Sequence, residues 1–85
     1  MMTAAEIKRT FEKYETARLR TERMIWEDCT EEEFDAACDA EFEAQDTFIE
    51  ALVEFAGGQL TEEDVFWMLA MQHDRVADLV RRLAA

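Results

Sequence analysis

Hydrophobic residues recur along most of this chain at spacings of three and four, the period of helices with one buried face. One local pattern occurs three times: a hydrophobic residue, a threonine, two residues, an acid and a second hydrophobic residue. In this order the threonine hydroxyl can accept from a free backbone N–H at a helix start, while the acid reaches back. The threonines are Thr3, Thr30 and Thr61. We therefore predict three helices, over residues 4–28, 31–56 and 62–84.

Two kinds of boundary separate these helices. Gly57 and Gly58 mark the end of the second helix, since glycine readily adopts the left-handed conformation that follows helices. The boundary before Thr30 has neither Gly nor Pro, so one continuous helix over 4–56 is the alternative. Similar lengths and short links favour antiparallel neighbours. The expected fold is all-α, a single domain over residues 1–85 with a helical hairpin plus a third antiparallel helix. A chain this short buries limited surface, which favours a helical-bundle homodimer.

Each predicted helix has a face of hydrophobic residues for the core. On the first helix Arg18 and Thr21 interrupt this face, and we expect Arg18 to pair with Glu41 of the second helix or both to extend to the rim. The predicted core residues are Ile7, Phe11, Tyr14, Ala17 and Ile25, then Phe34, Cys38, Phe42, Phe48, Ile49, Leu52 and Phe55, then Val65, Phe66, Leu69, Val76, Leu79, Val80 and Leu83.

Charge is concentrated on the second helix. The formal net charge of −12 opposes direct binding to nucleic acid or to anionic membranes. Residues 30–56 contain ten acids and no Lys or Arg. Six of these acids follow one another at spacings of three or four, which places them in one arc of the helix. We call them the acidic stripe: Asp35, Asp39, Glu43, Asp46, Glu50 and Glu54.

Carboxylates at these spacings repel one another, so a basic surface is expected to offset the cost. That surface is the basic side of the first helix, in the same chain or in a second copy, or an external protein partner. The simpler interpretation is a solvated face that keeps the protein soluble. Beside the stripe lies a strip of small residues that would let another helix approach closely: Ala36, Ala40, Ala44, Thr47 and Ala51.

Four large hydrophobic residues point away from the predicted core. They are Leu19 and Trp26 on the first helix and Trp67 and Met71 on the third. Aromatic residues and Met are common interface anchors, so we interpret them as contacts to a second copy or to another protein. The alternative is a further buried face within a wider bundle.

Few residues offer chemistry. His73 is the only histidine, there is no serine, and Cys29 and Cys38 are best explained as reduced, small hydrophobic residues. We therefore expect no catalytic residue, metal or cofactor. Neither a membrane-spanning stretch nor a secretory signal is present in the pattern, which favours a cytoplasmic location.

One enzyme class is kept as a remote alternative. Glu31, Glu32 and Asp35 are similar to the first half of the metal-binding motif of Mg-dependent all-α nucleotide pyrophosphohydrolases. The second Glu-x-x-Asp that such a site needs on a later helix is missing.

In length, acidity and lack of catalytic residues the chain resembles the small acidic helical accessory proteins of bacteriophages and mobile elements. Anti-CRISPR and anti-restriction proteins, which bind and block host proteins, are examples. The resemblance is one of class and implies no residue assignments. Our leading hypothesis is a non-enzymatic protein that binds and modulates or inhibits a protein partner with a basic surface. Nucleic-acid mimicry by the acidic stripe is a second hypothesis, and a self-assembling structural scaffold is a third.

Overall fold

The computed structural model describes residues 2–83, and within them the chain forms four helices. Helix α1 spans Ala4–Trp26, α2 spans Glu31–Phe55, α3 spans Glu62–Met71 and α4 spans His73–Leu83. Helix accounts for 84% of the described residues and no strand occurs among them. The all-α prediction is confirmed, whereas the predicted count of three helices is wrong. None of the described helices is both long enough and apolar enough to cross a bilayer.

The three predicted helix starts are confirmed. Each threonine hydroxyl accepts from the backbone N–H three residues later, at 3.1–3.2 Å. At α2 and α3 the acid reciprocates: Glu33 Oε1 accepts from the N–H of Thr30 at 3.4 Å, and Asp64 Oδ2 accepts from the N–H of Thr61 at 3.0 Å. These pairs satisfy N–H groups that a helix leaves unpaired at its start.

The predicted break between the first two helices is also present. Helix α1 ends at Trp26, and Glu27 has an extended backbone, so a continuous helix over 4–56 is excluded. Gly57 and Gly58, with φ of 62° and 90°, follow the end of α2. An L-residue with a side chain rarely adopts such angles, which is why glycine occupies this turn.

The predicted third helix is split at Gln72. Its backbone, at φ −139° and ψ 46°, leaves the helical region, although its N–H still donates to Met68 O at 2.8 Å. Its carbonyl accepts from the N–H groups of Arg75 and Val76 at 3.1 Å and so starts α4. The break lets α3 pack against α2 while α4 packs against α1. The predicted last residue, 84, lies outside the described residues.

Helices α1 and α2 form an antiparallel hairpin. The closed end of the hairpin is the end at the 27–30 loop. Near it, Thr21 Oγ1 donates to Ala17 O at 3.0 Å and to Ala37 O of α2 at 3.3 Å. Further along, the rings of Phe11 and Phe48 meet edge to face with centroids 5.0 Å apart. Helices α3 and α4 cover one face of this hairpin, and together they enclose the core. Its buried members are Ile7, Phe11, Tyr14, Phe48, Ile49, Ala51, Leu52, Val65, Leu69, Val76 and Val80.

Five residues predicted to lie in the core are exposed instead. They are Ile25, Phe42, Phe55, Phe66 and Leu79. The packing explains two of them, Ile25 and Phe42. The core includes no α1 residue beyond Tyr14. Ile25 lies three turns further along α1, where no core residues are available to cover its side chain. On α2, the buried small residues Ala37 and Ala51 lie on the side of the helix roughly opposite Phe42, so Phe42 points outward.

Candidate protein-binding surface

All six residues of the acidic stripe are exposed along α2. Their order along the helix gives a line of carboxylates that follows nearly its whole length. Across the part of the chain that the structure describes, no Lys, Arg or His nitrogen lies within 4.0 Å of any of the six carboxylates. The stripe is therefore a line of exposed carboxylates that no ion pair within this distance neutralises.

The Lys and Arg side chains that form ion pairs in the described chain do so with acids three or four residues away in the sequence. Arg18 Nε lies 3.1 Å from Glu15 Oε1, and its Nη1 lies 3.6 Å from Glu22 Oε2. The predicted pair between Arg18 and Glu41 is wrong, because two acids one turn away on α1 already engage the guanidinium. Glu41 is instead half-buried. Within the described chain, no ion pair of 4.0 Å or less joins α1 to α2.

Phe42 is a member of this surface that the sequence analysis missed. Its side chain is 62% exposed, and it lies between Asp39 and Asp46 at spacings of three and four residues on α2. An exposed aromatic ring can bury apolar surface against a partner, and the carboxylates around it can orient that partner by charge. The sequence contains the signal for this position. Phe42 lies where the predicted core face of α2 borders the acidic stripe, so the helical period is compatible with either location.

The four predicted anchors are all exposed but form two separate groups. Trp67 and Met71, 55% and 75% exposed, lie on α3, on the side away from the buried Val65. Leu19 and Trp26, 53% and 85% exposed, lie on α1. No Cα of α1 lies within 8 Å of a Cα of α3, so these helices do not pack together. Trp67 has one aromatic neighbour, Phe66, with ring centroids 5.7 Å apart. These two form a small aromatic patch on α3.

His73 is a structural contact between α4 and α1. Its Nε2 forms a hydrogen bond with Glu15 Oε1 of α1, and its ring lies 6.0 Å from that of Phe11 and 6.2 Å from that of Tyr14, centroid to centroid. Burial, and then the negative charge of Glu41, raise the pKa of the Tyr14 hydroxyl, so this phenol stays protonated. The contact of His73 with α1 closes the core at the break between α3 and α4.

The described residues offer little for catalysis or metal binding. Glu31, Glu32 and Asp35 are exposed in the first turns of α2, and among residues 2–83 no group of three or more His, Cys, Asp or Glu side chains could hold a metal ion. Cys29 and Cys38 are not joined in a disulfide. Desolvation by burial, followed by the charges of Glu41 and neighbouring acids, raises the pKa of the Cys38 thiol. A raised thiol pKa lowers the fraction of the nucleophilic thiolate.

The acidic stripe, Phe42 and the aromatic patch of α3 are therefore the surface features with the clearest capacity for recognition. They combine negative charge with exposed rings, the two properties that direct and anchor protein association. No protein-family model, curated protein or solved structure matches this chain.

Proposed function

We propose that this protein is a non-enzymatic binding protein that engages a basic surface of another protein through the acidic stripe. The observation that carries the proposal is the absence of any cation within 4.0 Å of these six exposed carboxylates among residues 2–83. Like charges at such spacings cost a helix about 0.2–0.5 kcal/mol per pair. A basic partner would remove this repulsion, so binding gains both from attraction and from relief of repulsion.

The stripe and the exposed rings have different tasks in this proposal. Negative charge accelerates encounter with a basic surface and fixes orientation, although exposed charges contribute modest affinity. Phe42 and Trp67 would contribute affinity, because aromatic residues that become fully desolvated are typical binding hot spots. The resemblance to small acidic accessory proteins of bacteriophages is consistent with a partner that such binding inhibits.

Nucleic-acid mimicry is a specific form of the same proposal. Carboxylates four residues apart on a helix follow one another at steps of about 6 Å. Because the six acids extend along most of α2, they could occupy a groove that otherwise holds a phosphate backbone. A mimic and an oligonucleotide would then compete for the partner, whereas a binder of another basic surface would leave nucleic-acid binding intact.

The experiment compares two variants with equal change in charge. One replaces Asp35, Asp39 and Asp46 by Asn on the stripe. The control replaces Asp28 by Asn, Glu63 by Gln and Asp74 by Asn, three exposed acids outside the stripe. Protein retained from lysate by the wild-type chain is identified by mass spectrometry, and its affinity for purified wild-type and variant proteins is then measured at low and high salt.

We expect the stripe variant to bind the identified partner at least tenfold more weakly, and the control variant to bind it as the wild type does. Raised salt should weaken the wild-type complex, because exposed ion pairs are screened. Addition of an oligonucleotide tests mimicry on the same complex. Equal binding by the stripe variant and the control would refute the proposal and would favour the self-assembling scaffold, in which the acids serve solubility.

A further inference from the structure

A groove runs between α1 and α2 on the face of the hairpin that α3 and α4 leave open. Its wider part has a volume of about 430 Å³. Small side chains form its floor, and no residue of α3 or α4 lines it within the described chain. The floor residues are Ala17, Ala37, Ala40, Ala44 and Thr47. Small residues permit another helix pair to approach closely along this groove.

The two edges of the groove carry opposite charge. Arg9, Lys13 and Arg20 lie along the α1 edge, and none has an acidic oxygen within 4.0 Å in the described part of the molecule. The same edge carries one acid, Glu12, whose Oε1 lies 4.0 Å from Lys8 Nζ. Glu43 lies on the α2 edge. Glu50 follows it seven residues later and therefore lies on the same face of the helix, two turns away. The groove is thus apolar at its centre, net positive on the α1 side and negative on the α2 side.

The hydrogen bond from Thr21 to Ala37 determines which residues of the two helices lie at the same height. In an antiparallel pair, each step back along α1 corresponds to a step forward along α2. Lys13, eight residues before Thr21, is therefore level with position 45, eight residues after Ala37. By the same rule Arg9 is level with position 49. Each cation thus lies across the groove from an acid at nearly its own height, Lys13 from Glu43 and Arg9 from Glu50.

We infer that two copies of this chain associate through their grooves into a four-helix layer. A two-fold axis parallel to the helices places α1 of each copy over α2 of the other and keeps every residue at its own height. Lys13 then meets Glu43 of the second copy, and Arg9 meets Glu50. An axis perpendicular to the helices would instead oppose α1 to α1 and its cations to one another. Charge therefore selects the first arrangement.

This dimer pairs two of the six stripe acids and leaves the others open for the partner proposed above, and it does not depend on that proposal. Glu43, Glu50 and Glu54 form the edge of the acidic stripe that is nearest the groove. Asp35, Asp39 and Asp46, together with Phe42, lie further round α2. The dimer would therefore display two outward acidic edges, one on each side.

The test is a pair of charge reversals that are complementary only between copies. One variant carries Arg9→Glu and Lys13→Glu, and the other carries Glu43→Lys and Glu50→Lys. Each variant opposes like charges at both edges of its own dimer. A mixture restores opposite charges at both edges, because the acids of the first variant then meet the lysines of the second while its unchanged α2 meets an unchanged α1.

Light scattering after size exclusion measures the mass of each sample. We expect wild type at twice the chain mass of 9.9 kDa, each variant alone at 9.9 kDa, and the mixture again at twice that value. The control Lys8→Glu with Arg75→Glu changes charge equally but lies outside the groove, and it should remain dimeric. Far-UV circular dichroism establishes that all variants retain helix.

Three outcomes would overturn the inference: a monomeric wild type, a reversed variant that remains dimeric, or a mixture that stays monomeric. Loss of the dimer on Trp67→Ala with retention on Ala40→Trp would also overturn it, because that result would place the contact on α3. Ala40→Trp fills the groove floor without changing charge, so the inferred dimer requires this variant to be monomeric.

Discussion

Phe48 and Phe42 give the sharpest test of the packing, because both lie on the same helix and only one is buried. Phe48 is 0% exposed, with the ring of Phe11 5.0 Å away and that of Tyr14 6.4 Å away, whereas Phe42 is 62% exposed. Phe→Ala in a packed core costs about 3–5 kcal/mol of unfolding free energy. At about 0.05–0.15 kcal/mol per residue, a chain of 85 residues has a total of about 4–13 kcal/mol. Phe48→Ala should therefore remove a large share of the stability.

The same arithmetic gives a small effect for Phe42→Ala. Full burial of Phe contributes about 1.5–3 kcal/mol, so a side chain with little more than a third of its surface covered contributes less than about 1 kcal/mol. The higher helix propensity of Ala offsets about 0.5 kcal/mol of this loss. We expect a change in unfolding free energy close to zero for Phe42→Ala.

Urea denaturation followed by far-UV circular dichroism measures both variants against wild type at one protein concentration. Phe48→Leu is included because it keeps much of the buried volume and should lose on the order of 1 kcal/mol, which stays measurable if Phe48→Ala does not fold. Equal destabilisation by Phe42→Ala and Phe48→Ala would refute this packing. It would indicate that both rings are buried, as the helical period alone predicts.

Two further predictions concern titratable groups. The backbone N–H and the hydroxyl of Thr61 lower the pKa of the Asp64 carboxyl, so this cap stabilises the fold above the pKa of the unfolded chain and loses its effect as pH falls through the folded pKa. Unfolding midpoints of wild type and Asp64→Asn should therefore differ at neutral pH and converge in acid; a constant difference would contradict this. The raised pKa of the Cys38 thiol predicts slower alkylation than at the exposed Cys29, measured by peptide mass spectrometry on the folded protein, with both rates equal after unfolding.

The helix starts could be predicted from the sequence because their cause is local. Each threonine and the acid three residues later satisfy backbone groups within one turn, and glycine at the end of α2 acts through its own backbone angles. The break at Gln72 has no such local signal, since neither Gly nor Pro is present there. Its cause is tertiary: His73 packs on Phe11 and Tyr14 of α1, while the preceding segment packs on α2.

The candidate surface could be predicted in part for a related reason. The acidic stripe depends only on the helical period, so the sequence alone places its six residues on one side of α2, where the structure shows them exposed. The exposure of Phe42 depends on two things: how far the core extends along α2, and which side of α2 is buried. Ala37 and Ala51 decide the second point, and small residues give a weak hydrophobic signal. A single-helix projection therefore assigned Phe42 to the core.

The closed end of the hairpin has a different local stability from the rest of the molecule. Beyond Tyr14 the main core contains no α1 residue, and the hydroxyl of Thr21, shared between two carbonyls, is the buried polar tie between the helices there. Segments with few buried apolar contacts open at a lower free energy than the whole domain. We therefore expect the end around the 27–30 loop to open at a lower free energy than the layer around Phe48, whose amides should exchange only with global unfolding.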